Sequence, residues 1–198
     1  MFETVRNAFK IKDLRKKLFY TFFALIVVRI GSQLPVPGVK YEAIREMFNS
    51  QKSLDFFNQL TGGSFEQMSI FALNITPYIT ASIIIQLLTI AIPRLEELHK
   101  DGEEGRKKLT EYTRYVTIGL SVLESAAMAI GFGNSGYLTD DKITFTSVSV
   151  IIVSLTAGSA FLMWLGEQIT EKGVGNGISI VLTINIISGM PSDISNLF

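Results

Sequence analysis

The feature that most constrains this chain is the clustering of its charged residues between long uncharged runs. Residues 145–165 form a run of 21 residues without a charged side chain, and Trp164 lies near its end. A membrane-spanning helix needs about 20 apolar residues to cross a hydrocarbon core of about 30 Å, and tryptophan is enriched at membrane surfaces. Only 18% of the chain is charged, whereas a typical soluble domain is roughly 25% charged. The pattern therefore indicates a membrane protein.

The uncharged runs predict an all-α fold, a polytopic membrane helical bundle with five transmembrane helices. The fifth run is the weakest, because only residues 177–190 are apolar, and a helix of that length rises about 21 Å. That rise is shorter than the hydrocarbon core, so the fifth helix must extend into its flanks or lie among protein. The predicted transmembrane segments are residues 18–34, 69–92, 115–132, 145–165 and 174–190.

The distribution of Lys and Arg predicts the orientation of the chain. Residues 1–17, 93–114 and 166–176 would share one face of the membrane and carry thirteen basic residues, whereas the loops on the other face carry four. Cytoplasmic loops are enriched in Lys and Arg, so we predict a cytoplasmic amino terminus and an extracellular carboxyl end. An odd number of spans is also the arrangement of one half of an inverted-topology repeat.

Residues 1–17 combine basic side chains with apolar ones at helical spacing, namely Phe2, Val5 and Phe9. We predict that this segment lies along the cytoplasmic membrane surface as an amphipathic helix. A cleaved secretory signal is the alternative. It is disfavoured because acidic residues interrupt the basic stretch and no small-x-small cleavage site follows the first apolar run.

The second run contains a helix break. Thr76 and Pro77 match an N-cap followed by a proline at the first helical position, and a helix from there to residue 92 rises only about 24 Å. The preceding residues 61–74 are polar and rich in glycine, and non-helical backbone at membrane depth is tolerated only within protein or beside water. Two interpretations are open: a re-entrant segment followed by a short helix, or a proline-kinked span that begins at Ser69.

Two charged side chains, Arg29 and Glu124, fall near the middle of their predicted spans. An isolated charge at the centre of a bilayer costs at least about 2.5–3.5 kcal/mol, so each should face the interior of the bundle or a partner. Our hypothesis is that the two buried charges approach each other inside the bundle. The alternative is that each separately contacts water, a lipid headgroup or a backbone carbonyl group.

Residues suited to catalysis, metal binding or nucleotide binding are missing from the sequence. The chain has no cysteine, and its single histidine, His99, lies in a charged cytoplasmic stretch. Gly173 and Gly175 begin a pattern similar to a nucleotide-binding loop, but Ile178 stands where that pattern requires a glycine, and a membrane helix precedes it. We therefore predict no enzymatic activity, no metal site, no cofactor and no direct nucleic-acid partner.

Four long stretches of the sequence resemble the SecY family, the channel subunits of the bacterial Sec protein translocase. They occur in the family's order and together extend across the whole chain. The stretches are RIGSQLPVPG at 29–38, IFALNITPYITASIIIQLL at 70–88, GEEGRKKLTEYTR at 102–114 and FLMWLGEQITEKGVGNGIS at 161–179.

The resemblance implies that residues 1–198 are the amino-terminal half of such a channel. SecY-like channels have ten helices in two inverted halves that close like a clamshell, and this sequence supplies the first five. The resemblance also implies that residues 57–71 form a plug and 75–92 a short pore helix, which favours the re-entrant interpretation. The implied plug residues are Phe57, Leu60, Gly62, Gly63, Phe65 and Met68.

The resemblance further assigns roles around the pore. The family's apolar ring excludes ions because a narrow apolar opening resists wetting. Family members more often have isoleucine than leucine at the position of Leu182. At the position of Glu124 they more often have a neutral polar residue. Polar residues on one edge of the pore helix would ease lateral opening toward lipid, unless they bond to their own helix or its neighbours. The implied ring residues are Ile75, Ile79, Ile83, Ile178 and Leu182, and the lateral gate residues are Thr80, Ser82, Gln86 and Leu87.

The function implied by the resemblance is a passive channel for translocation of secretory proteins across the bacterial plasma membrane and for lateral insertion of membrane proteins into it. The implied partners are SecE, SecG, SecA or a ribosome, the carboxyl-terminal half of the channel, a signal peptide, an unfolded polypeptide and membrane lipid. The alternative is half of an inverted-repeat secondary transporter. That alternative predicts a small-solute site near Asn74, Glu124 and Asn185.

Overall fold

The structure, a computed structural model, describes residues 11–50, 58–59, 61–139 and 144–197, without the side chains of 48–50 and 189–197. Phe57, Leu60 and the first ten residues of the predicted amphipathic segment lie outside this description. Within it the fold is all-α. The helices are α1 (Lys12–Gly31), α2 (Tyr41–Ser50), α3 (Thr76–Ala91), α4 (Pro93–Lys100), α5 (Gly102–Asn134), α6 (Phe145–Lys172) and α7 (Gly177–Leu197).

Two of the described helices, α5 and α6, are each long and apolar enough to cross a membrane. Helices α3 and α4 satisfy that criterion only as a pair, and the chain bends by 103° between them. Helix α7 is apolar over Gly177–Ser188, which is shorter than a full span. The fold is a polytopic membrane helical bundle, and five as the number of spans stays a prediction.

The charged stretch 93–114, which we expected to be a cytoplasmic loop, is almost entirely helical. It is rich in Glu, Lys, Arg and Leu, which are strong helix formers, so its charge does not prevent helix formation. The break before it lies at Ile92, whose backbone is extended (φ −114°, ψ 113°) because a following proline disfavours the helical region. On α4, Lys100 lies 2.6 Å from Glu96, and its hydrogen bond lowers the pKa of that carboxyl.

Helices α5 and α6 form the centre of the bundle, with α3 packed on α5 and both α1 and α7 packed on α6. The buried face of α5 repeats every four residues and, apart from Leu109, is made of small or hydroxyl-bearing side chains. Such residues allow close approach of membrane helices. One of them bonds across the seam, since Ser125 Oγ lies 3.2 Å from Thr156 Oγ1. The seam consists of Gly105, Leu109, Thr113, Thr117, Ser121, Ser125 and Ala129.

Two apolar cores hold the bundle together, and one non-helical segment contributes to both. The first core joins α2, α5 and α6 to the stretch after α1, and it includes Met68 and Ala72. The second core joins α1, α6 and α7, and it includes Phe71. Residues 61–75, referred to below as segment 61–75, therefore lie between helices and form part of the packed interior.

Candidate functional site

Segment 61–75 is built of turns, and α3 begins only at Thr76. Met68 and Asn74 have positive φ angles of 46° and 53°, which no continuous helix contains. The interpretation of a proline-kinked span beginning at Ser69 is therefore wrong. The predicted N-cap is also wrong by one residue: it is Ile75, whose carbonyl accepts the first helical bond, from Ile79 N at 3.1 Å.

The extended stretch after α1 pairs with the middle of segment 61–75. The backbone N–H of Val36 donates to the carbonyl of Met68 at 2.8 Å, and that of Ile70 donates to the carbonyl of Leu34 at 2.9 Å. Pro35 and Ser69 lie opposite each other between these bonds. This pairing satisfies backbone groups that no helix satisfies, which buried non-helical backbone requires.

Glycines let segment 61–75 pass close to two helices. A Cβ atom on Gly31 of α1 would overlap the ring of Phe71, and one on Gly158 of α6 would overlap the carbonyl group of Ile70. The Phe71 ring also stacks on Phe161, with centroids 5.9 Å apart. Ser154, Ala157, Gly158 and Ala160 of α6 are small residues, which allow close packing between membrane helices. At Gly158 the close neighbour is segment 61–75 and not a helix.

A group of buried and half-buried polar residues joins segment 61–75 to α1 and α7. Asn185 Nδ2 donates to Asn74 Oδ1 at 2.9 Å, and both residues are at most 3% exposed. Arg29 Nη1 donates to the carbonyl of Gly62 at 3.4 Å. Ser188 Oγ donates to the carbonyl of Asn185 at 2.7 Å. We call these five residues the polar cluster.

Arg29 and Glu124, which we expected to approach each other inside the bundle, form no ion pair with each other within the described residues. Arg29 instead contacts the backbone carbonyl of Gly62, which was the alternative considered for it. The half-buried Glu124 lies on α5, next to Ser125 in the small-residue seam. Sequence spacing gave similar depths for the two charges but gave no information on which helix faces they occupy.

The ring candidates lie on α3, on its N-cap Ile75 and on α7, and two of them converge on α6. A Cβ atom on Gly166 would lie 3.3 Å from both Ile75 Cδ1 and Ile178 Cγ1. Ile75 is fully buried, Ile79, Ile178 and Leu182 are half-buried, and Ile83 is 51% exposed. Ile75 is thus the candidate least suited to line an opening. The other four leave apolar surface uncovered in this chain.

The lateral gate candidates lie on a largely uncovered face of α3. Thr80, Gln86 and Leu87 are exposed, and Ser82 is half-buried. Among the described contacts, neither Thr80 nor Ser82 makes a side-chain hydrogen bond, so back-bonding to their own helix does not occupy them. The back-bond on this helix belongs to Thr89, which donates to the carbonyl of Gln86 at 2.6 Å.

The described plug candidates are packed tightly rather than loosely attached. Met68 is fully buried in the first core, and Phe65 packs against that core. Glu66 accepts a hydrogen bond from Asn58 Nδ2 at 2.7 Å and forms an ion pair with Arg45 of α2, whose Nε lies 3.1 Å from Glu66 Oε1. Gly62 and Gly63 turn the chain with φ angles of 64° and 82°. These contacts come from residues distant in sequence, and sequence reasoning missed Arg45 and Glu66.

The glycine-rich stretch between α6 and α7 serves a tight turn. Gly175 has a φ of 71°, and a Cβ atom on Gly177 would overlap the carbonyl of Gly166. Asn176 caps α7, because its Oδ1 accepts bonds from the backbone N–H groups of Ile178 and Ser179 at 3.1 and 3.2 Å. The spacing of these glycines therefore follows from helix packing.

Arg114 and Glu167 link α5 to α6 near the ring candidates. Arg114 Nε lies 2.9 Å from Glu167 Oε1, and Arg114 Nη2 lies 2.9 Å from Oε2. Two parallel bonds of this kind are stronger and more directional than a single contact. A cavity beside the pair is lined by Tyr78 and Ile178, so the pair lies next to the ring candidates.

Comparison with known sequences identifies the family. A sequence profile described as SecY matches residues 69–198. The Protein translocase subunit SecY of Bacillus subtilis is 46% identical over 201 residues, which cover 100% of this chain and 46% of that protein. The subunit of the same name from Pseudomonas aeruginosa is 44% identical over 190 residues, which cover 95% of this chain and 42% of that protein. The chain thus spans about half the length of these curated relatives.

Solved structures agree at the level of the fold. Two of them, described as Sec61 in the canine ribosome-channel complex from the endoplasmic reticulum and as the structure of a protein conducting channel, each match with a TM-score of 0.60. Each match covers 86% of this chain and 36% of the other, at 20% identity. Together with the profile match, these findings show that the chain belongs to the SecY family.

Proposed function

We propose that this chain is the amino-terminal half of a protein-conducting channel of the bacterial plasma membrane. Secretory proteins would cross the membrane through it, and membrane proteins would leave it sideways into the bilayer. The observation that carries this proposal is segment 61–75, a non-helical stretch among membrane helices with Met68, Ala72, Asn74 and Ile75 at most 2% exposed. Non-helical backbone is tolerated at membrane depth where protein or water surrounds it, as in a channel interior.

The seal of the proposed channel is an apolar constriction beside this segment. Ile79, Ile83, Ile178 and Leu182 would supply half of it, and the missing half of the channel would supply the rest. A narrow opening lined by branched apolar side chains excludes water and ions. The same side chains can move apart around a polypeptide, because they make no directional bonds with one another. Segment 61–75 would close the outer side of this constriction as a plug.

The lateral exit of the proposed channel lies along α3. Its uncovered face carries Leu87, 61% exposed, and Ile90, 82% exposed, together with the polar Thr80 and Gln86. A helix of the other half would cover this face when the gate is closed. Polar groups on this face of α3 weaken its apolar packing against the helix of the other half. The apolar helix of a signal peptide can therefore take the place of that helix.

The orientation and partners follow from the same proposal. The excess of Lys and Arg on one side supports a cytoplasmic amino terminus. The channel itself would be passive, because the proposed mechanism needs only a seal, a plug and a gate. Energy would come from SecA or a translating ribosome, and SecE and SecG would be its membrane partners.

The secondary-transporter alternative is less well supported. It predicted a solute site near Asn74 and Asn185, but these two side chains bond directly to each other. Among the described residues, Glu124 forms no ion pair, so it holds no cationic side chain that a bound solute could replace. The curated relatives are named as translocase subunits, and both matched structures are described as channels.

Site-specific cross-linking tests the channel proposal. A photoreactive amino acid is placed at position 79 of the full-length protein, and a secretory precursor is stalled during translocation in membrane vesicles. Position 178 is probed in the same way, and position 123 is the matched control, because Leu123 is a 67% exposed apolar residue on α5. We expect cross-links from 79 and 178 and none from 123. Cross-links absent from 79 and 178 while the precursor is verifiably stalled would overturn the proposal.

A further inference from the structure

The middle of segment 61–75 and its two ends are held by contacts of different kinds. Its middle is fixed by apolar packing, since Met68 and Phe71 are buried in the two cores. Its ends are fixed by polar contacts, through the carbonyl of Gly62 and the side chain of Asn74. The bond from Arg29 to Gly62 is long, at 3.4 Å, and Asn185 Oδ1 is buried with no hydrogen-bond partner. The polar cluster is therefore only partly satisfied.

Gly62 is the point where the segment fits most tightly into this cluster. A Cβ atom there would lie 2.8 Å from the carbonyl oxygen of Asn185, 2.8 Å from Ser188 Oγ and 2.9 Å from Arg29 Nη1. The next residue, Gly63, has a similar left-handed backbone but nothing within 4 Å of its Cβ position. The crowding therefore belongs to Gly62 alone and not to the turn as a whole.

We propose that the polar cluster is a latch that holds the start of segment 61–75 against α1 and α7 and releases it when water enters. This inference rests on the proposed function, because it concerns how that channel opens. Buried polar groups that lose a protein partner can be rehydrated at little net cost, whereas exposed apolar groups cannot. The latch end can thus open reversibly while the apolar middle of the segment stays packed. Arg29 is the anchor of the latch on α1, and Asn185 and Ser188 supply the opposing surface on α7.

A single cysteine at position 64 reports the state of the latch. Ser64 is 2% exposed and lies two residues from Gly62, and the 198 residues of this chain contain no cysteine. The Ser64→Cys substitution is introduced into a cysteine-free full-length channel in proteoliposomes. The rate of labelling by a water-soluble maleimide is measured without substrate. Slow labelling corresponds to the closed latch.

The substitutions Gly62→Ala and Gly63→Ala separate the latch from backbone strain. Both place a Cβ atom on a left-handed residue, so both carry a similar conformational cost. Only Gly62→Ala also displaces the polar cluster. We expect Gly62→Ala to label about tenfold faster than Gly63→Ala, the effect of losing one hydrogen bond to a charged group. Equal labelling rates for the two variants would overturn the latch.

Substitutions of Arg29 give an independent test that does not alter the turn. Arg29→Met removes the donor and suits a membrane helix, whereas Arg29→Lys keeps a charge and a donor. We expect fast labelling with Arg29→Met and labelling within about twofold of the parent with Arg29→Lys. Thr183→Val is the control on α7, because Thr183 is exposed and bonds only to the carbonyl of Ser179 in its own helix. Fast labelling with Thr183→Val, or equal rates for the two Arg29 variants, would contradict the latch.

Translocation of a secretory precursor is measured in the same vesicles, which separates the two proposals. If the parent protein translocates and the latch variants label no faster than their controls, the latch fails and the channel stands. If the parent protein does not translocate while the latch variants label faster, the channel proposal fails and the latch remains a property of the fold.

Discussion

Asn185 of α7 donates its side-chain Nδ2 to Oδ1 of Asn74, 2.9 Å away, two residues before α3 begins. Asn74 has a φ of 53°, a left-handed conformation that asparagine tolerates better than most residues. Asn74 therefore has two roles: its backbone makes a turn, and its side chain accepts a hydrogen bond from α7. This contact fixes the end of segment 61–75 relative to the helix that carries Ile178 and Leu182.

The Asn74–Asn185 pair predicts a non-additive loss of stability. Asn74→Gly keeps the left-handed backbone but removes the acceptor, which leaves the whole Asn185 amide buried without this bond. We expect a loss of about 1–3 kcal/mol in the free energy of unfolding. In the double variant with Asn185→Leu, the free energy of unfolding should fall little further or recover, because the amide that has lost its partner is no longer present. Unfolding of the full-length protein in detergent micelles measures both effects, and simple additivity of the two losses would contradict this account.

The close approach of segment 61–75 to α6 predicts opposite effects for two glycine substitutions. Gly158→Ala forces its Cβ against the carbonyl of Ile70, so we expect a loss of about 1–3 kcal/mol. Gly119 lies within α5 with nothing near its Cβ position. We therefore expect Gly119→Ala to raise the free energy of unfolding by about 0.5–1 kcal/mol, because alanine has the better helix propensity. Thermal unfolding of both variants is the measurement. Equal shifts in Tm would show that position 158 has free space.

The two-bond contact between Arg114 and Glu167 predicts a measurable coupling across α5 and α6. Their side chains are 47% and 18% exposed, so solvent screens the pair, and we expect a coupling energy of about 0.5–1 kcal/mol. The double-mutant cycle uses Arg114→Gln and Glu167→Gln, with unfolding as the readout. The coupling should shrink as salt rises toward 1 M. A coupling near zero at low salt would indicate that the pair does not form in the membrane protein.

The class of fold was predictable because it depends on features spread along the whole chain. Long uncharged runs determine an all-α membrane bundle, and the resemblance at residues 70–88 and 161–179 identified the family that the comparisons then showed. The helix break before Pro77 was also visible, since proline lacks a backbone donor and fits only the start of a helix. The N-cap was placed one residue late because Thr76 directly precedes Pro77 and has a side chain that commonly caps helices, whereas the observed cap, Ile75, has none.

The contacts of the candidate site were not predictable, because they depend on which helix faces meet. Arg29 and Glu124 lie at similar depths by residue count, but Arg29 contacts the carbonyl of Gly62, which has no side chain to mark it in the sequence. Gly158 of α6 is a similar case, because its close neighbour is the carbonyl group of Ile70 in a non-helical segment. A glycine signals close approach but does not identify its neighbour. Roles for the ring, the plug and the gate remain predictions for the complete channel.

An apolar constriction next to a buried non-helical segment is expected to keep the resting channel impermeable. The most direct measurement is the ion conductance of the full-length protein in planar bilayers, without substrate, after Ile79→Asn. The control is Leu123→Asn, which also places an asparagine at an apolar residue but on α5, at a position that is 67% exposed and belongs to neither the proposed ring nor the proposed gate. We predict a clear rise in resting conductance for Ile79→Asn, because a polar side chain hydrates the constriction, and none for Leu123→Asn. A resting conductance that is unchanged by Ile79→Asn, or raised equally by both substitutions, would show that Ile79 is not part of the seal.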